Sequence, residues 1–377
     1  MNTNLPYYDV AIIGGGLAGL ATAIQLGREG VKVILFEKET YPFHKVCGEY
    51  LSLESEDFIK DLGVTLDEWE LPQMDILQLS SPGGNMLQEK LPLGGFGVSR
   101  FRIDYSLMQI ATQHHVQIRE GTKVNDVQFA DGIFTITTDN SAIQADICCG
   151  TFGKRSNLDV KWKRPFVQKK PNALNNYIGV KYHVILDHPR NMISLHNFKG
   201  GYCGIAPIED NKTNLCYLTR AQNLRDNGNN LQVMEEKVLF KNPFLKKAFT
   251  GSSFLYDKPL TISQISFDKK EQVHHHILLL GDAAGLITPL CGNGMSMALR
   301  SSKIAVKYII QYLKRVIDRN ALESLYTKEW RYTFAHRLKT GRVIQEIFRS
   351  PQLTSGLISL LRPIPFLTRG IISKTHG

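Results

Sequence analysis

Three glycines at Gly14-x-Gly16-x-x-Gly19 follow the apolar run YDVAII, and the next apolar run, VKVILFE, ends on Glu37. Strand, glycine turn, helix, strand and acid in that order suit the binding of a dinucleotide. Gly14 permits the tight turn, Gly16 lets the backbone approach a pyrophosphate, and Gly19 lets the helix pack closely on the strand. The helix N-terminus then offers free N–H groups and partial positive charge to the diphosphate. Glu37 can accept two hydrogen bonds from ribose hydroxyls. A carboxylate there would repel a 2′-phosphate, so an unphosphorylated ribose is expected.

This fingerprint does not separate NAD from FAD. The run ILLLGDAAGLITPLCGNGMSMALRS, residues 277–301, does. An apolar strand ends at Gly281-Asp282, a turn follows at Pro289, and Gly292-Asn293-Gly294 opens a long helix. Asp282, exposed at a strand end, can hold a ribityl hydroxyl. The following helix can set its N-terminus against the flavin edge that gathers negative charge on reduction, favouring it by ~0.3–2 kcal/mol. The cofactor expected is FAD.

The elements needed to position these residues are legible in outline. YDVAII, the helical periodicity from Leu17 to Glu29 and VKVILFE form a βαβ unit. A second helix is expected from an N-cap at Asp104, and short strands follow to about residue 150, with a hairpin at Ala130-Asp131-Gly132. Residues 175–220 carry four strand patterns that read as a separate antiparallel sheet. Helices are expected over 231–250, a strand over 276–282, and helix after Gly292. The loop RDNGNN, 225–230, reads as a flexible turn.

The fold class expected is therefore α/β: a discontinuous Rossmann-like FAD-binding domain (1–72, 98–160 and 265–350) with an inserted antiparallel-sheet substrate domain (73–97 and 161–264). A helical cap at 351–377 completes it.

Composition excludes more than it identifies. With 377 residues, 43% hydrophobic and 21% charged, the chain has ordinary globular usage. A net charge of +10 suits an acidic cofactor, an anionic substrate or an anionic membrane face equally. No nucleic-acid-binding motif accompanies it, so nucleic acid is not an expected partner. Cys47, Cys148, Cys149, Cys203, Cys216 and Cys291 form no CxxC and no even framework, which reads as reduced thiols in the cytoplasm. The start has no cationic signal region, and no apolar stretch reaches the roughly 18 residues of a membrane span. His274-His275-His276 reads as a solvated loop, and no metal is expected. The segment 357–374, LISLLRPIPFLTRGIISK, interleaves apolar and basic residues. It reads either as a cap or as an interfacial element making peripheral membrane contact.

Four segments carry a family resemblance. They are the glycine fingerprint, PFHKVCGEYLS (42–52), Arg100-x-x-Ile103-Asp104-x-x-Leu107-x-x-x-Ala111, and GDAAG…P…GNG. Together they resemble the flavoproteins that include p-hydroxybenzoate hydroxylase and, more closely, the geranylgeranyl reductases. The resemblance implies that Lys45 faces the cofactor's phosphates or ribityl chain, that Cys47 and Gly48 lie near the isoalloxazine, and that Arg100 reaches the cofactor. A small buried hydrophobe is an equal reading of Cys47, and a surface ion pair with Asp104 is the alternative for Arg100. Gly15, Leu17, Ala18, Lys38, Val124 and Met295 complete the expected cofactor-binding set. Cys47 and Tyr202 are the residues expected to touch substrate.

Two departures from the family pattern stand out. Phe152 replaces the aspartate of the hydroxylases' Gly-Ala-Asp-Gly-x-x-Ser, which speaks against NAD(P)H as direct reductant and leaves an electron-donor protein open as a partner. Tyr202-Cys203-Gly204-Ile205-Ala206-Pro207 replaces the reductases' Tyr-x-Trp-x-Phe-Pro, which implies a wider or differently shaped pocket. The halogenase tryptophan motif is absent. The function expected is reduction of a lipid or isoprenoid C=C bond by flavin N5 hydride. Hydroxylation of an aromatic or polyketide phenol is the first alternative, and a non-catalytic flavin electron carrier or lipid-binding protein is the second.

Overall fold

A computed structural model describes residues 5–172, 174–287 and 293–362. The first part of the chain runs β1 (Tyr7–Ile13), α1 (Leu17–Arg28), β2 (Val33–Phe36), β3 (Tyr50–Ser52), α2 (Glu56–Asp61), β4 (Gln73–Ser80), β5 (Met86–Gly97) and α3 (Arg100–Gln113). Next come β6 (Gln117–Arg119), β7 (Val124–Ala130), β8 (Ile133–Thr138), β9 (Ala142–Gly150), α4 (Asn157–Lys161) and α5 (Pro165–Gln168). The middle holds β10 (Tyr177–Ile185), β11 (Met192–Phe198), β12 (Gly201–Pro207), β13 (Thr213–Arg220), α6 (Ala221–Asp226), α7 (Leu231–Val238) and α8 (Pro243–Thr250). The last part comprises β14 (Ser253–Phe254), β15 (Leu260–Ile265), β16 (Val273–His274), β17 (Ile277–Leu279), α9 (Gly294–Leu313), α10 (Arg319–Arg349) and α11 (Pro351–Leu361).

One sheet has the order β16-β17-β9-β1-β2-β6, with the β7–β8 hairpin joined antiparallel to β9. Its central pairs, β17–β9, β9–β1, β1–β2 and β2–β6, are parallel. Val10, Ala11 and Ile12 of β1 are wholly buried, as are Leu20, Ala21 and Ile24 of α1. Continuous apolar strands of this kind belong to a sheet covered on both faces. The expected hairpin is present: Asp131 and Gly132 both take positive φ (52° and 82°), as a two-residue turn between right-twisted strands requires.

The second sheet has the order β14-β10-β13-β12-β11-β4-β5-β3, with β15 also on β10. The four expected strands form its antiparallel centre. It is not wholly antiparallel, because β4 joins β11 in parallel; β3, from the N-terminal region, adds antiparallel to β5. One face of this sheet packs on α7 and α8 through Phe198, Leu215, Tyr217, Met234, Leu245 and Phe249.

Several boundaries depart from expectation. The second helix begins at Arg100, not after a cap at Asp104: Ser99 Oγ accepts from Arg102 N–H at 3.1 Å. Buried Glu209 accepts from the Ser99 N–H at 2.8 Å and so fixes Ser99 in the capping conformation. Asp104 is then inside the helix and buried. The loop 225–230 is partly α6, and the strand at 276–282 ends at Leu279, where Gly281–Ala283 make a single 3₁₀ turn. Of the proposed cap, 351–361 is helical, with Ile358 and Leu361 packed on Leu87, while 363–377 lies outside the described residues.

Gly19 of α1 packs closely on the glycine turn. A Cβ at Gly19 would stand 2.1 Å from Gly14 O and 2.7 Å from Thr151 Oγ1. Gly19→Ala is therefore expected to lower stability by ~1–3 kcal/mol through overpacking. A fall in the urea midpoint with an unchanged m-value would register it.

Candidate functional site

The register of the first sheet builds the site. Ile13 pairs with Gly150, and Gly150 with Leu279, so β1, β9 and β17 end side by side. The chain leaves all three strands at one edge, the usual position of a ligand crevice in parallel sheets. A Cβ at Gly14 would lie 2.6 Å from Thr151 O, and one at Gly281 would lie 3.3 Å from Ala18 Cβ. The fingerprint loop and the Asp282 loop, distant in sequence, thus converge on one cavity of about 1210 Å³.

Two helices begin on that cavity. Gly14 turns with φ 111°, and its N–H donates to Phe36 O at 2.8 Å, while α1 starts just beyond. Gly14, Gly16, Leu17 and Ala18 line the wall. Asn293, Gly294 and Met295 line it where α9 starts. Neither helix start carries a side-chain cap bond or an acid in its first turn. Helix N-termini without either are anion sites. FAD fits this arrangement, with a diphosphate for one N-terminus and a ring edge that gathers negative charge for the other.

Glu37, Lys38 and Val124 line the adjoining part of the cavity. The Glu37 carboxylate accepts from Gly15 N–H at 2.9 Å and Glu39 N–H at 3.1 Å, so it also braces the glycine turn. Gly15 itself faces away from the cavity, against Tyr41, whose hydroxyl donates to Gly15 O. Gly19 is likewise a packing glycine, and Gly292 lies outside the described residues.

Arg100 and Lys45 flank the fingerprint turn, their terminal nitrogens 3.4 and 3.9 Å from a Cβ placed on Gly16. Both are tied to Asp104: Arg100 Nε and a terminal nitrogen reach its two oxygens at 2.9 and 2.7 Å, and Lys45 Nζ reaches it at 2.9 Å. Arg100 thus pairs with Asp104, in a largely buried ion pair and not at the surface, and it also lines the cavity. Burial works against the charged forms, but two cations around one carboxylate hold the Asp104 carboxyl below the usual range.

Cys47, half-buried, lies beside the Arg100 guanidinium, and Gly48 opens onto free space. Tyr202 is buried in β12, and both Cys47 and Tyr202 line the same cavity as Asp282.

A buried ionic knot was not foreseen. Glu49, fully buried at φ 53°, accepts from Lys181 Nζ, from Arg100 N–H at 2.8 Å and from His183 Nε2 at 2.6 Å. It pins the Cys47 segment to β10 of the second sheet. Burial would raise the Glu49 carboxyl, but the Lys181 ammonium and His183 outweigh it and hold it at about 2. His183 Nδ1 and His44 Nε2 both meet the Tyr256 hydroxyl, at 3.3 and 2.8 Å. Burial, with Lys181 and His183 nearby, lowers His44 to about 4, so it is neutral at pH 7. A signal for this knot does exist in the sequence. Lys181 and His183 occupy one face of a strand that is otherwise apolar, and such a pair requires a buried acid.

The histidine run is not a simply solvated loop. His274 Nδ1 meets Glu271 at 3.1 Å, His276 Nδ1 meets Glu323 at 2.8 Å, and the rings of His274 and His275 stack at 4.1 Å. Glu271 stands three residues before His274, whereas Glu323 comes from α10, which local sequence does not reveal. Among the described residues no group of three or more side chains could hold a metal ion, and no helix is long and apolar enough to cross a membrane.

Two outcomes follow from this geometry. Asp282→Ala is expected to lose FAD or bind it far more weakly, read as flavin absorbance per protein after gel filtration. Lys181→Met strands a buried carboxylate and is expected to destabilise by ~3–5 kcal/mol in urea unfolding. Because the folded-state pKa of Glu49 is depressed, its contribution is complete above the ordinary value of 4.5 and is lost as pH falls towards about 2. Glu49→Gln should therefore flatten the stability–pH curve between those values.

Comparison with known proteins agrees with the site. Residues 7–332 match the family model described as FAD binding domain. Conditioned medium factor receptor 1 of Dictyostelium discoideum is 25% identical over 386 residues, covering 94% of this chain and 73% of that protein. The flavin-dependent brominase Bmp2 superposes with TM-score 0.79 at 19% identity, covering 98% of this chain and 93% of the other. A geranylgeranyl bacteriochlorophyll reductase-like protein from Thermoplasma acidophilum gives TM-score 0.78 at 17% identity, with 98% and 96% covered. With a strand-end cavity bearing two uncapped helix starts and a family match over most of its length, the chain belongs to the FAD-binding-domain family and is an FAD-dependent oxidoreductase.

Proposed function

We propose that this chain reduces a carbon–carbon double bond in a hydrophobic, lipid- or isoprenoid-like molecule. The observation that supports this best is the wall that the second sheet turns toward the cofactor end. Ile193, Leu195, Leu218, Leu260, Ile262 and Ile265 dominate it, and Tyr50, Tyr202, Cys216, Tyr217 and Thr261 are its residues with a polar side chain. No carboxylate, imidazole or amine belongs to that part of the wall among the described residues. A surface of this kind orients apolar substrate by shape and supplies little that would hold a phenolate.

Gly204 and Ala206, which replace the aromatic residues of the reductase pattern, both line this wall. A Cβ on Gly204 would find no atom nearer than 3.6 Å. The space left there suits a bulkier substrate than a pocket filled by Trp and Phe. Cys47 and Tyr202 are the proposed substrate contacts. Bound FAD supplies the two-electron chemistry. The chain supplies the apolar wall, a half-buried thiol beside Arg100 and two helix N-termini that favour negative charge.

The fold likeness to a flavin-dependent brominase supports a second reading, an oxygen-dependent reaction on an electron-rich ring such as a phenol. Anaerobic photoreduction of the holoenzyme separates the two. Reoxidation by a polyprenyl lipid with no oxygen present, yielding saturated product by mass spectrometry, is the expected result. A flavin that stays reduced with the lipid, yet modifies a phenol once oxygen is admitted, would overturn the first reading in favour of the second.

A further inference from the structure

Two loops that line the cavity share an unusual feature: in each, three consecutive carbonyls accept from side chains elsewhere in the fold. In the Cys47 segment, Lys181 Nζ donates to Lys45 O at 3.1 Å, Lys154 Nζ to Val46 O at 2.9 Å and Asn214 Nδ2 to Cys47 O at 3.0 Å. In the turn that begins at Asp282, Lys270 Nζ donates to Asp282 O at 2.8 Å, Arg164 to Ala283 O at 3.1 Å and Gln272 Nε2 to Ala284 O at 3.2 Å.

Two lysines connect these sets. Lys270 Nζ also donates to Lys154 O at 2.8 Å, and Lys154 reaches Val46 with its own ammonium. The path runs from the Asp282 turn through Lys270 to the turn after β9, and through Lys154 to the Cys47 segment. Each of the three loops lines the cavity. Lys270 is buried, with its ammonium 4.3 Å from the Phe166 ring centre. Arg164 is fully buried and held by Asp159 at 2.7 Å and Glu271 at 2.9 Å, so the anchor points are themselves fixed.

We propose that Lys154 and Lys270 are positioning residues that set the Cys47 segment in register with the Asp282 turn, and thereby set the affinity and redox poise of the bound flavin. Apolar packing alone would leave these loops free to slide, because burial has no preferred direction. Charge-assisted bonds to specific carbonyls do not allow that. The Lys270 charge is buried against the Asp282 turn and Lys154 lines the cavity itself, so both also favour an anionic, reduced cofactor.

A pH readout distinguishes this role from general packing. Burial pulls the Lys270 ammonium down to about 8, against the opposing pull of Asp159. Asp282 and Glu271 also face it with negative charge and Arg164 with positive charge. Above that pH the cation is lost, so FAD affinity should fall through pH 8 in the wild type. It should not fall there in Lys270→Arg, whose charge persists.

The experiment compares wild type, Lys154→Met, Lys270→Met, Lys270→Arg and the double Met variant. Each is stripped of flavin and titrated with FAD by fluorescence quenching, and midpoint potentials are measured on the reloaded proteins. Each Met substitution is expected to weaken FAD binding by about ten- to a hundredfold and to lower the midpoint potential. The double variant should lose less than the product of the two, because both act through one turn. Lys270→Arg should restore most of the affinity.

Lys154 is only half-buried, so Lys154→Met keeps the question answerable should Lys270→Met fail to fold. Wild-type affinity and potential in Lys154→Met would overturn the proposal, as would strictly independent losses in the double variant. Asp282→Ala serves as reference. If it loses FAD while Lys154→Met does not, the flavin site stands and the brace falls.

Discussion

The whole arrangement depends on β1, β9 and β17 ending side by side in a parallel sheet. Because the three strands stop in register, the loops that follow them must share one edge, and the helices that begin there present their N-termini to one space. A buried helix start with no side-chain cap leaves N–H groups that need an acceptor. Two such starts on one cavity amount to a built demand for a long, negatively charged ligand. The glycines serve this demand. Gly14 allows the turn and Gly19 the close approach, while Gly16 keeps the wall open between Arg100 and Lys45.

The second sheet contributes the apolar wall, and how it is fastened matters as much as what it carries. Its strand β10 meets the cavity-lining Cys47 segment through Lys181, His183 and Glu49, a knot whose side chains are almost wholly buried. Replacing such a knot by hydrophobic residues need not cost stability. What ions add is direction, because Glu49 accepts from three donors at once and can do so in only one placement. The same logic extends to the Lys154 and Lys270 contacts, where cations select individual carbonyls. The apolar wall is thus formed by packing, while its placement against the Cys47 segment is set by charge.

Legibility in the sequence followed how local the physical requirement was. The fingerprint and the run at 277–301 could be read because a tight turn at a strand end demands glycine wherever the rest of the chain goes. The four central strands of the second sheet were visible because alternation and turn residues are local too. The helix at Arg100 was placed too late because Asp104 is an acceptable cap by type, whereas the choice of Ser99 depends on Glu209, a residue far along the chain. The histidine run reads as solvated because Glu323, the partner of His276, lies on a distant helix that spacing does not pair with it.

By itself, then, the sequence determined the backbone demands: where the chain must turn, which strands are buried, and that a flavin dinucleotide is the ligand those turns suit. Tertiary structure alone decided which charged side chains meet across the fold; Arg100 and Asp104, four residues apart, are the pair that spacing already offered. Arg100 and Lys45 share Asp104, Glu49 gathers Lys181 and His183, and Lys154 and Lys270 tie three loops together. The reason is physical. A glycine's conformational freedom is a property of one residue and can be read from it, whereas an ion pair exists only between positions that folding has brought within a few ångströms.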